Sequence, residues 1–310
     1  MKTLPTLRQL RYLVAVADNL HFGRAAESCA VTQSTLSAGI QELEALLRVQ
    51  LLERRTKRQV VVTPLGEEIV ARARRLLADA EALVDSAAAA ADPLSGPLRL
   101  GVIPTIGPYV LPQALPAVRE AYPDLKLFLR EDQTARLLDL LAEGRLDVAL
   151  LALPYDVGEM RTLALWDEDV VVAAPAGHAF EALDRVPEDA LAAEEVLMLE
   201  DGHCLREHSL QACALTRRPA GNESFQATSL NTLVQMVANG LGVTLLPRSA
   251  VPVEAGAARG VIVRDLTVSR PARTVALVWR PAAARQRDVA LLGRLLQDHA
   301  PEGAVLHQRR

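Results

Sequence analysis

The chain has few cysteines, few aromatic residues and no long hydrophobic run. Phe, Trp and Tyr make up 3% of its 310 residues, so Leu, Val and Ala must fill the interior. No apolar run approaches the roughly 18 residues that a transmembrane helix needs, so we expect no membrane partner. The first residues lack an apolar stretch ending in a small-residue cleavage site, so we expect no secretory signal.

The three cysteines are Cys29, Cys204 and Cys213. A secreted disulfide scaffold would need more cysteines in a shorter chain. In a reducing cytosol a nearby pair is more often catalytic, metal-binding or redox-sensing, although two cysteines can also pack as small hydrophobic side chains. Zinc is disfavoured because CxxC-type spacing is absent and only His203 and His208 could assist. We therefore predict no metal and no cofactor.

Charge is spread unevenly along the chain. Residues 1–66 hold nine Lys and Arg against five Asp and Glu, a net charge of +4, whereas the whole chain carries -4, which leaves -8 for the remainder. A basic segment on an acidic body is typical of a protein that meets nucleic acid at one end. Chance variation of surface charge is the alternative.

The first 60 residues have the pattern of a winged helix-turn-helix. Apolar residues at helical spacing predict a first helix, and residues 23–29 form the predicted second helix. Thr32 is the predicted N-cap of a third helix, which would enter the major groove of DNA. A basic turn between two short β-prone runs predicts a wing that contacts phosphates or the minor groove. The candidate DNA contacts are Thr32, Gln33, Ser34, Thr35 and Ser37 on the third helix, and Arg54, Arg55, Lys57 and Arg58 in the wing.

A long helix is predicted next. Thr63 can cap it, Pro64 suits its first turn, and Glu67 and Glu68 complement the helix dipole. Apolar residues recur at spacings of four and three, which favours a dimerising seam, although an ordinary amphipathic helix packed on its own domain would show a similar pattern. The seam consists of Ile69, Ala73, Leu76, Ala80, Leu83 and Ala87. A breaker-rich stretch, DPLSGP, ends this segment.

From residue 98 onward, predicted strands alternate with helices, which indicates an α/β domain of two subdomains with mostly parallel sheets. Ligands bind such sheets in crevices beyond the carboxyl ends of strands. The predicted strands are 98–103, 125–131, 147–153, 169–175, 195–201, 243–247, 260–266 and 273–280.

One segment of this domain, residues 195–213, points to thiol chemistry. A helix predicted to begin near Cys204 would stabilise its thiolate, lower its pKa and favour attack on peroxide. Cys213 could resolve the resulting sulfenic acid to a disulfide. On one helix, nine residues place two Cα atoms roughly 13 to 14 Å apart, whereas a disulfide needs about 4.4 to 6.8 Å. The bond would therefore require the segment to unwind, as a switch does.

The run FGRAAESCAVTQSTLSAGIQELEALLRVQLLERRTKRQVVVTPLGE resembles the winged helix-turn-helix of LysR-type transcriptional regulators. Ser34 is a departure, since the family very often has proline there. The resemblance implies a DNA-binding domain (1–63), a linker and dimerisation helix (64–92) and a regulatory domain resembling periplasmic binding proteins (93–310). Within the last, subdomain I would span about 97–167 and 273–305, and subdomain II about 168–272.

The strings IPTIGPYVLP, EDQT, LEDGHCLRE and FQATSLNTL are similar to the hydrogen-peroxide-sensing branch of that family. The resemblance implies that Cys204 is peroxidatic and Cys213 resolving, and that the peroxide pocket contains Thr105, Thr134, His203 and Arg273. The alternatives are helix N-caps for both threonines, a local turn contact for His203 and a surface ion pair for Arg273.

The partners implied are double-stranded DNA, hydrogen peroxide, further copies of the chain as dimer and tetramer, glutaredoxin or thioredoxin for re-reduction, and RNA polymerase. We expect a cytoplasmic, nucleoid-associated activator of antioxidant genes that is not an enzyme. Three other functions stay open: a LysR-type sensor of a small organic effector in the regulatory cleft, a thiol peroxidase, and a purely structural DNA-binding protein.

Overall fold

A computed structural model describes residues 3–54, 60–89, 93–212, 227–267, 273–281 and 285–308. The chain divides into two units, one built chiefly from residues 1–90 and one built chiefly from residues 91–310. Each unit has its own hydrophobic core.

The first unit is a helix-turn-helix followed by a two-stranded wing and a long helix. Strands β1 and β2 pair antiparallel. The elements are α1 (Leu7–Asn19), α2 (Phe22–Ser28), α3 (Gln33–Leu47), β1 (Leu52–Arg54), β2 (Val60–Val62) and α4 (Pro64–Ala89). The predicted helix-turn-helix and the paired strands of the wing are confirmed.

Side-chain caps explain where these helices begin. Thr32 accepts a hydrogen bond from the Thr35 amide, which confirms it as the N-cap of α3. Thr63 likewise accepts one from the Gly66 amide at 3.0 Å at the start of α4. Each cap satisfies an amide that the first turn would leave unpaired.

The predicted seam of helix α4 is buried in its early part and exposed further along. Ala73 is 1% exposed and belongs to the core of the first unit, with Ile69 packed against it. Leu76 and Leu83 are 53% and 73% exposed. The early part of the helix therefore packs on its own domain, as the alternative interpretation predicted, and the later part leaves two leucines uncovered.

The second unit alternates strands and helices. Its helices are α5 (Gly107–Ala121), α6 (Thr134–Ala142), α7 (Glu188–Ala192), α8 (Cys204–Ala212), α9 (Leu230–Ala238), α10 (Val251–Glu254) and α11 (Gln286–Asp298). Its strands are β3 (Gly96–Val102), β4 (Leu125–Glu131), β5 (Val148–Leu153), β6 (Arg161–Glu168), β7 (Val170–Pro175), β8 (Arg185–Val186), β9 (Val196–Leu197), β10 (Val243–Pro247), β11 (Val261–Leu266), β12 (Arg273–Trp279) and β13 (Val305–Leu306).

These strands form two sheets, which we call sheet I and sheet II. Sheet I has six strands in the order β13-β6-β12-β5-β3-β4, and sheet II has five in the order β8-β11-β7-β10-β9. Sheet I joins parallel pairs around β3 to antiparallel pairs around β12, and sheet II is mixed as well. The prediction of mostly parallel sheets was therefore wrong, whereas the α/β class is confirmed.

The antiparallel pairing places the ends of distant segments side by side. Arg273, the first residue of β12, lies opposite Glu168, the last residue of β6. In the sequence these two residues are 105 positions apart. The chain crosses from sheet I to sheet II at this point, since β7 of sheet II follows β6 of sheet I directly.

Candidate functional site

Cys204 is the first residue of α8 and is 4% exposed. The turn before it favours Gly202, because its φ of +97° is a backbone conformation that residues with a side chain rarely adopt. A Cβ there would also require the Gln133 side chain to move, since its oxygen would lie 2.5 Å away. The turn at Gly202 therefore allows the helix to begin at Cys204, as predicted.

Arg273 provides a buried positive charge in the same region. It is 1% exposed, and its Nη2 atom lies 2.6 Å from the Glu168 carboxylate. The other Glu168 oxygen accepts a hydrogen bond from the Ser249 amide at 2.8 Å. Arg273 is therefore a fully buried, paired cation, and the alternative of a surface ion pair is wrong.

Thr105 is joined to Arg273 by two hydrogen bonds. Arg273 donates to the Thr105 hydroxyl at 2.9 Å and to its carbonyl oxygen at 3.0 Å. Thr105 is 1% exposed and precedes Ile106, the residue that caps α5, so it is not a helix N-cap. Its hydroxyl oxygen is occupied by Arg273, which leaves its hydrogen free to donate.

Thr134 lies at the start of α6 and is also 1% exposed. Its hydroxyl lowers the pKa of Cys204 through a hydrogen bond. Apart from that thiol, the Thr134 hydroxyl has no hydrogen-bond partner among the residues that the structure describes. It is therefore a buried polar group turned towards the cysteine and not a helix cap.

The pKa of Cys204 is raised, against the expectation from its place at a helix terminus. Burial raises it most, while the charge of Arg273 and the hydrogen bond from Thr134 lower it. Loss of water therefore outweighs the favourable neighbours, because a thiolate without solvent is costly. In this conformation the sulfur is held as the neutral thiol.

His203 is buried, with 7% of its surface exposed. Burial lowers its pKa, and the nearby Glu200 opposes this effect. Its Nε2 atom lies 3.8 Å from the Glu200 carboxylate, too far for a hydrogen bond. The structure therefore keeps His203 beside the cysteine, and its one charged neighbour among the described ion pairs is the turn residue Glu200.

Two buried residues that lie close to the site were not predicted from the sequence to belong to it. Glu168 holds Arg273, but it lies on β6, which the hydropathy pattern did not identify as a strand. His208 is 1% exposed on α8 and is bonded to the Pro154 carbonyl oxygen. A polar residue four positions after Cys204 on a helix was the available signal, since such residues share a face.

Family models account for both units. Residues 7–67 match the family described as bacterial regulatory helix-turn-helix protein, lysR family, and residues 91–301 match the LysR substrate binding domain. The chain belongs to the LysR family. Together these matches cover most of its length.

Relatives of this LysR-family protein carry names that refer to peroxide. It is 44% identical over 298 residues to a protein of Streptomyces viridosporus named "Probable hydrogen peroxide-inducible genes activator", covering 95% of this chain and 94% of the relative.

Two solved structures are similar throughout. Full-length OxyR of Pseudomonas aeruginosa with a cysteine-to-aspartate substitution is 38% identical, with a TM-score of 0.80, and the match covers 96% of this chain and 99% of that one. A hydrogen-peroxide-bound cysteine-to-serine mutant of Corynebacterium glutamicum OxyR is also 38% identical, with a TM-score of 0.65 and coverage of 96% and 94%.

The LysR-family helix-turn-helix presents a polar surface at the start of α3. Thr32, Gln33, Ser34 and Thr35 are exposed and Ser37 is half-buried. The Ser34 hydroxyl lies 2.9 Å from that of Thr32, so serine joins the capping network where the family very often has proline. Arg54 ends β1, and the other wing cations, Arg55, Lys57 and Arg58, lie outside the described residues.

Of the other two cysteines, the structure describes Cys29 but not Cys213. Cys29 is partly buried against the core of the first unit, as expected for a packed side chain. Cys213 follows α8 and lies outside the described residues. Within the described part of the chain no cluster of His, Cys, Asp and Glu could hold a metal ion, and no helix is long and apolar enough to cross a membrane.

Proposed function

We propose that this LysR-family protein is a transcription regulator that senses hydrogen peroxide through Cys204 and responds by forming a Cys204–Cys213 disulfide, thereby controlling antioxidant genes. The observation that carries the proposal is the enclosure of Cys204 with Thr134 and the Arg273 cation. The relative named as a hydrogen peroxide-inducible genes activator supports it.

The chemistry begins with removal of the thiol proton. The Cys204 thiolate attacks one peroxide oxygen, a sulfur–oxygen bond forms, and the oxygen–oxygen bond breaks. Sulfur is oxidised by two electrons, and the leaving hydroxide takes a proton to become water. The Cys213 thiolate then attacks the sulfenic sulfur, the disulfide forms, and the sulfenic oxygen leaves as a second water.

The pocket residues divide this work. Arg273 would stabilise the thiolate and the leaving hydroxide, because it carries a buried positive charge. The hydroxyls of Thr105 and Thr134 would orient the peroxide oxygens. His203, next to the sulfur in the chain, would complete the wall of the pocket. These four roles are part of the proposal.

Helix α8 explains why oxidation would act as a switch. It runs unbroken from Cys204 to Ala212, the residue before Cys213. Eight steps of roughly 1.5 Å place Ala212 about 12 Å along the helix from Cys204, whereas a disulfide needs Cα atoms about 4.4 to 6.8 Å apart. Formation of the bond would therefore unwind at least part of α8.

A DNA footprint with and without peroxide tests the proposal. The variant Cys204→Ser should keep its reduced footprint and lose the peroxide-dependent change. Cys29→Ser is the matched control, since it also removes one thiol, and it should respond as the wild type does. A full peroxide response in Cys204→Ser would refute the sensing role.

DNA contacts from two elements complete the proposal. Gln33, Thr32, Ser34, Thr35 and Ser37 would contact bases and phosphates, and the wing cations would contact the backbone. Replacing Arg55 and Arg58 with Ala should weaken binding to every sequence and flatten its salt dependence, because each lost phosphate contact lowers the slope by about 0.9. Gln33→Ala should instead weaken binding selectively. Unchanged affinity would refute the assignment.

The same proposal extends to the organisation of the chain and to its partners. Residues 1–63 would bind DNA, 64–92 would link and dimerise, and 93–310 would sense, with subdomains divided near residues 167 and 273. The exposed Leu76 and Leu83 support pairing of α4 with a second copy. We further propose a nucleoid-associated tetramer that contacts RNA polymerase and is re-reduced by glutaredoxin or thioredoxin.

A thiol peroxidase would use the same first step but would turn over repeatedly. Burial of Cys204, which is 4% exposed, limits access for a reducing partner while α8 is folded. Peroxide consumption with a thiol reductant separates the two functions. A sensor should consume about one peroxide for each reduction of its disulfide, and sustained rapid turnover would favour the enzyme.

A further inference from the structure

A second buried titratable group lies one helical turn beyond Cys204 and takes no part in the proposed peroxide chemistry. His208 is 1% exposed, and its Nε2 atom lies 2.9 Å from the carbonyl oxygen of Pro154. Pro154 directly follows β5 of sheet I, whereas α8 follows β9 of sheet II. The bond therefore joins α8 to the end of a strand in the other sheet.

The chemistry of the two partners fixes which ring nitrogen carries the proton. A carbonyl oxygen only accepts, so Nε2 must donate, and in the neutral ring Nδ1 is the acceptor. Nδ1 is buried and has no hydrogen-bond partner among the described residues. Burial holds the pKa of His208 below its ordinary value, which keeps the ring neutral.

Cys204, at the start of α8, lies beside Thr134 and Arg273, and the remaining described contacts of α8 lie on the side of sheet II. Leu205 packs in the core of sheet II. Arg206 donates a hydrogen bond to the Leu199 carbonyl oxygen at 3.0 Å and pairs with Asp201. These contacts would keep the first turn in place on sheet II. Within the described residues, His208 provides the side-chain hydrogen bond from α8 to sheet I.

We propose that His208 is a positioning residue that anchors α8 to Pro154 and thereby sets how fast the helix opens for disulfide closure. This inference rests on the proposed function, because closure is the step that needs α8 to unwind. His208 would act on the second chemical step and not on the reaction of Cys204 with peroxide. Loss of one hydrogen bond of ordinary strength corresponds to an opening rate about fivefold higher.

Two variants separate the hydrogen bond from the volume of the side chain. In His208→Gln, the amide nitrogen takes nearly the place of Nε2 and can still donate to Pro154. In His208→Met, the side chain has similar length but no donor. If the methionine variant does not fold, His208→Asn replaces it, because its amide is one methylene too short to reach the carbonyl oxygen. Ser209→Ala, a change of a buried neighbour that faces sheet II, is the matched control.

The two chemical steps are measured separately on the full chain. Sulfenic acid formation is followed in a Cys213→Ser background with a dimedone trap, and disulfide closure in the Cys213-containing protein by rapid alkylation and mass spectrometry. We expect His208→Met to form sulfenic acid within about twofold of the wild-type rate and to close the disulfide about fivefold faster. His208→Gln and Ser209→Ala should close at the wild-type rate.

Closure at the wild-type rate in His208→Met would overturn the proposal, and so would equal acceleration in the methionine and glutamine variants. Hydrogen exchange of the α8 amides in the reduced proteins gives a second readout that needs no oxidation. Exchange should be faster in the methionine variant and normal in the glutamine variant. If the wild type formed no disulfide, the proposed function would fail, whereas the exchange comparison would still decide whether His208 anchors α8.

Discussion

At the scale of single residues, Arg273 interacts with three different groups. It pairs with Glu168, donates to Thr105 and lowers the pKa of the Cys204 thiol. Glu168 is the carboxylate partner of Arg273, and the thiol lies within reach of the Arg273 charge. Burial raises the pKa of Cys204 by more than Arg273 lowers it, so that pKa lies above its ordinary value.

The pH dependence of Cys204 oxidation follows from that sign. Because the thiolate is the nucleophile and the pKa is raised, the reactive fraction grows with pH throughout the neutral range. The rate constant for sulfenic acid formation should rise about tenfold for each unit between about pH 6 and pH 8. Stopped-flow measurement in a Cys213→Ser background reports this step alone. A plateau below about pH 7 would show that the folded thiol is acidic and that burial does not dominate.

The buried ion pair can be tested with a single and a double variant. Arg273→Gln leaves the Glu168 carboxylate buried without its cation, which should lower the free energy of unfolding by about 3 to 5 kcal/mol. Arg273→Gln with Glu168→Gln removes both charges and should recover much of that loss. Urea unfolding of the second unit measures both values.

The rate of reaction with peroxide in the same two variants tests the effect of the Arg273 charge on the thiol, apart from its effect on stability. Both lack the cation that lowers the pKa of Cys204, so both should form sulfenic acid more slowly than the wild type at neutral pH. If the double variant reacted at the wild-type rate, the positive charge of Arg273 would have no role in activating the thiol.

Single residues also show where sequence reasoning stopped. Resemblance placed Thr105, Thr134 and Arg273 in one site, and the structure gathers the first and last of these by hydrogen bonds and the second through Cys204. Glu168 escaped because its partnership with Arg273 depends on the antiparallel register of β6 and β12. No local pattern carries that information.

At the scale of elements, helix starts were predictable because each depends on a few adjacent residues. Thr63 should contribute to α4 through the Gly66 amide that it caps and the Leu51 carbonyl oxygen to which it donates. Thr63→Ala should lower the free energy of unfolding of the DNA-binding unit by about 1 kcal/mol, and Thr63→Ser should restore most of it. Thermal unfolding measures the difference. Equal stability of the alanine and serine variants would mean that the cap contributes nothing.

Strands were predicted less evenly than helices. The apolar runs that became β3, β4, β5, β7, β10, β11 and β12 begin and end within two residues of the predicted bounds. The run at 195–201 shortened to the two residues of β9, and β6, β8 and β13 were missed. Strand β6 escaped because only part of it is buried, and the edge strands β8 and β13 are two residues long. The relative direction of the paired strands was predicted incorrectly, because the pairs join segments that are far apart in the sequence.

At the scale of the whole molecule, the charge difference agrees with the division into two units. The basic segment belongs to the helix-turn-helix unit and the acidic remainder lies chiefly in the unit with Cys204. In the proposed mechanism, DNA affinity and peroxide chemistry are therefore separate properties. A variant in the sensing site should keep its affinity for DNA in the reduced state and lose only the response.

The proposed switch requires that peroxide joins Cys204 to Cys213 and that the new bond changes how the protein binds DNA. Trypsin cleavage after Arg206 separates the two cysteines, so a disulfide between them appears as a linked pair of peptides. One equivalent of hydrogen peroxide should produce that pair in step with a changed footprint, and a reductant should reverse both. If both cysteines stayed free for alkylation while the footprint changed, the disulfide switch would be contradicted.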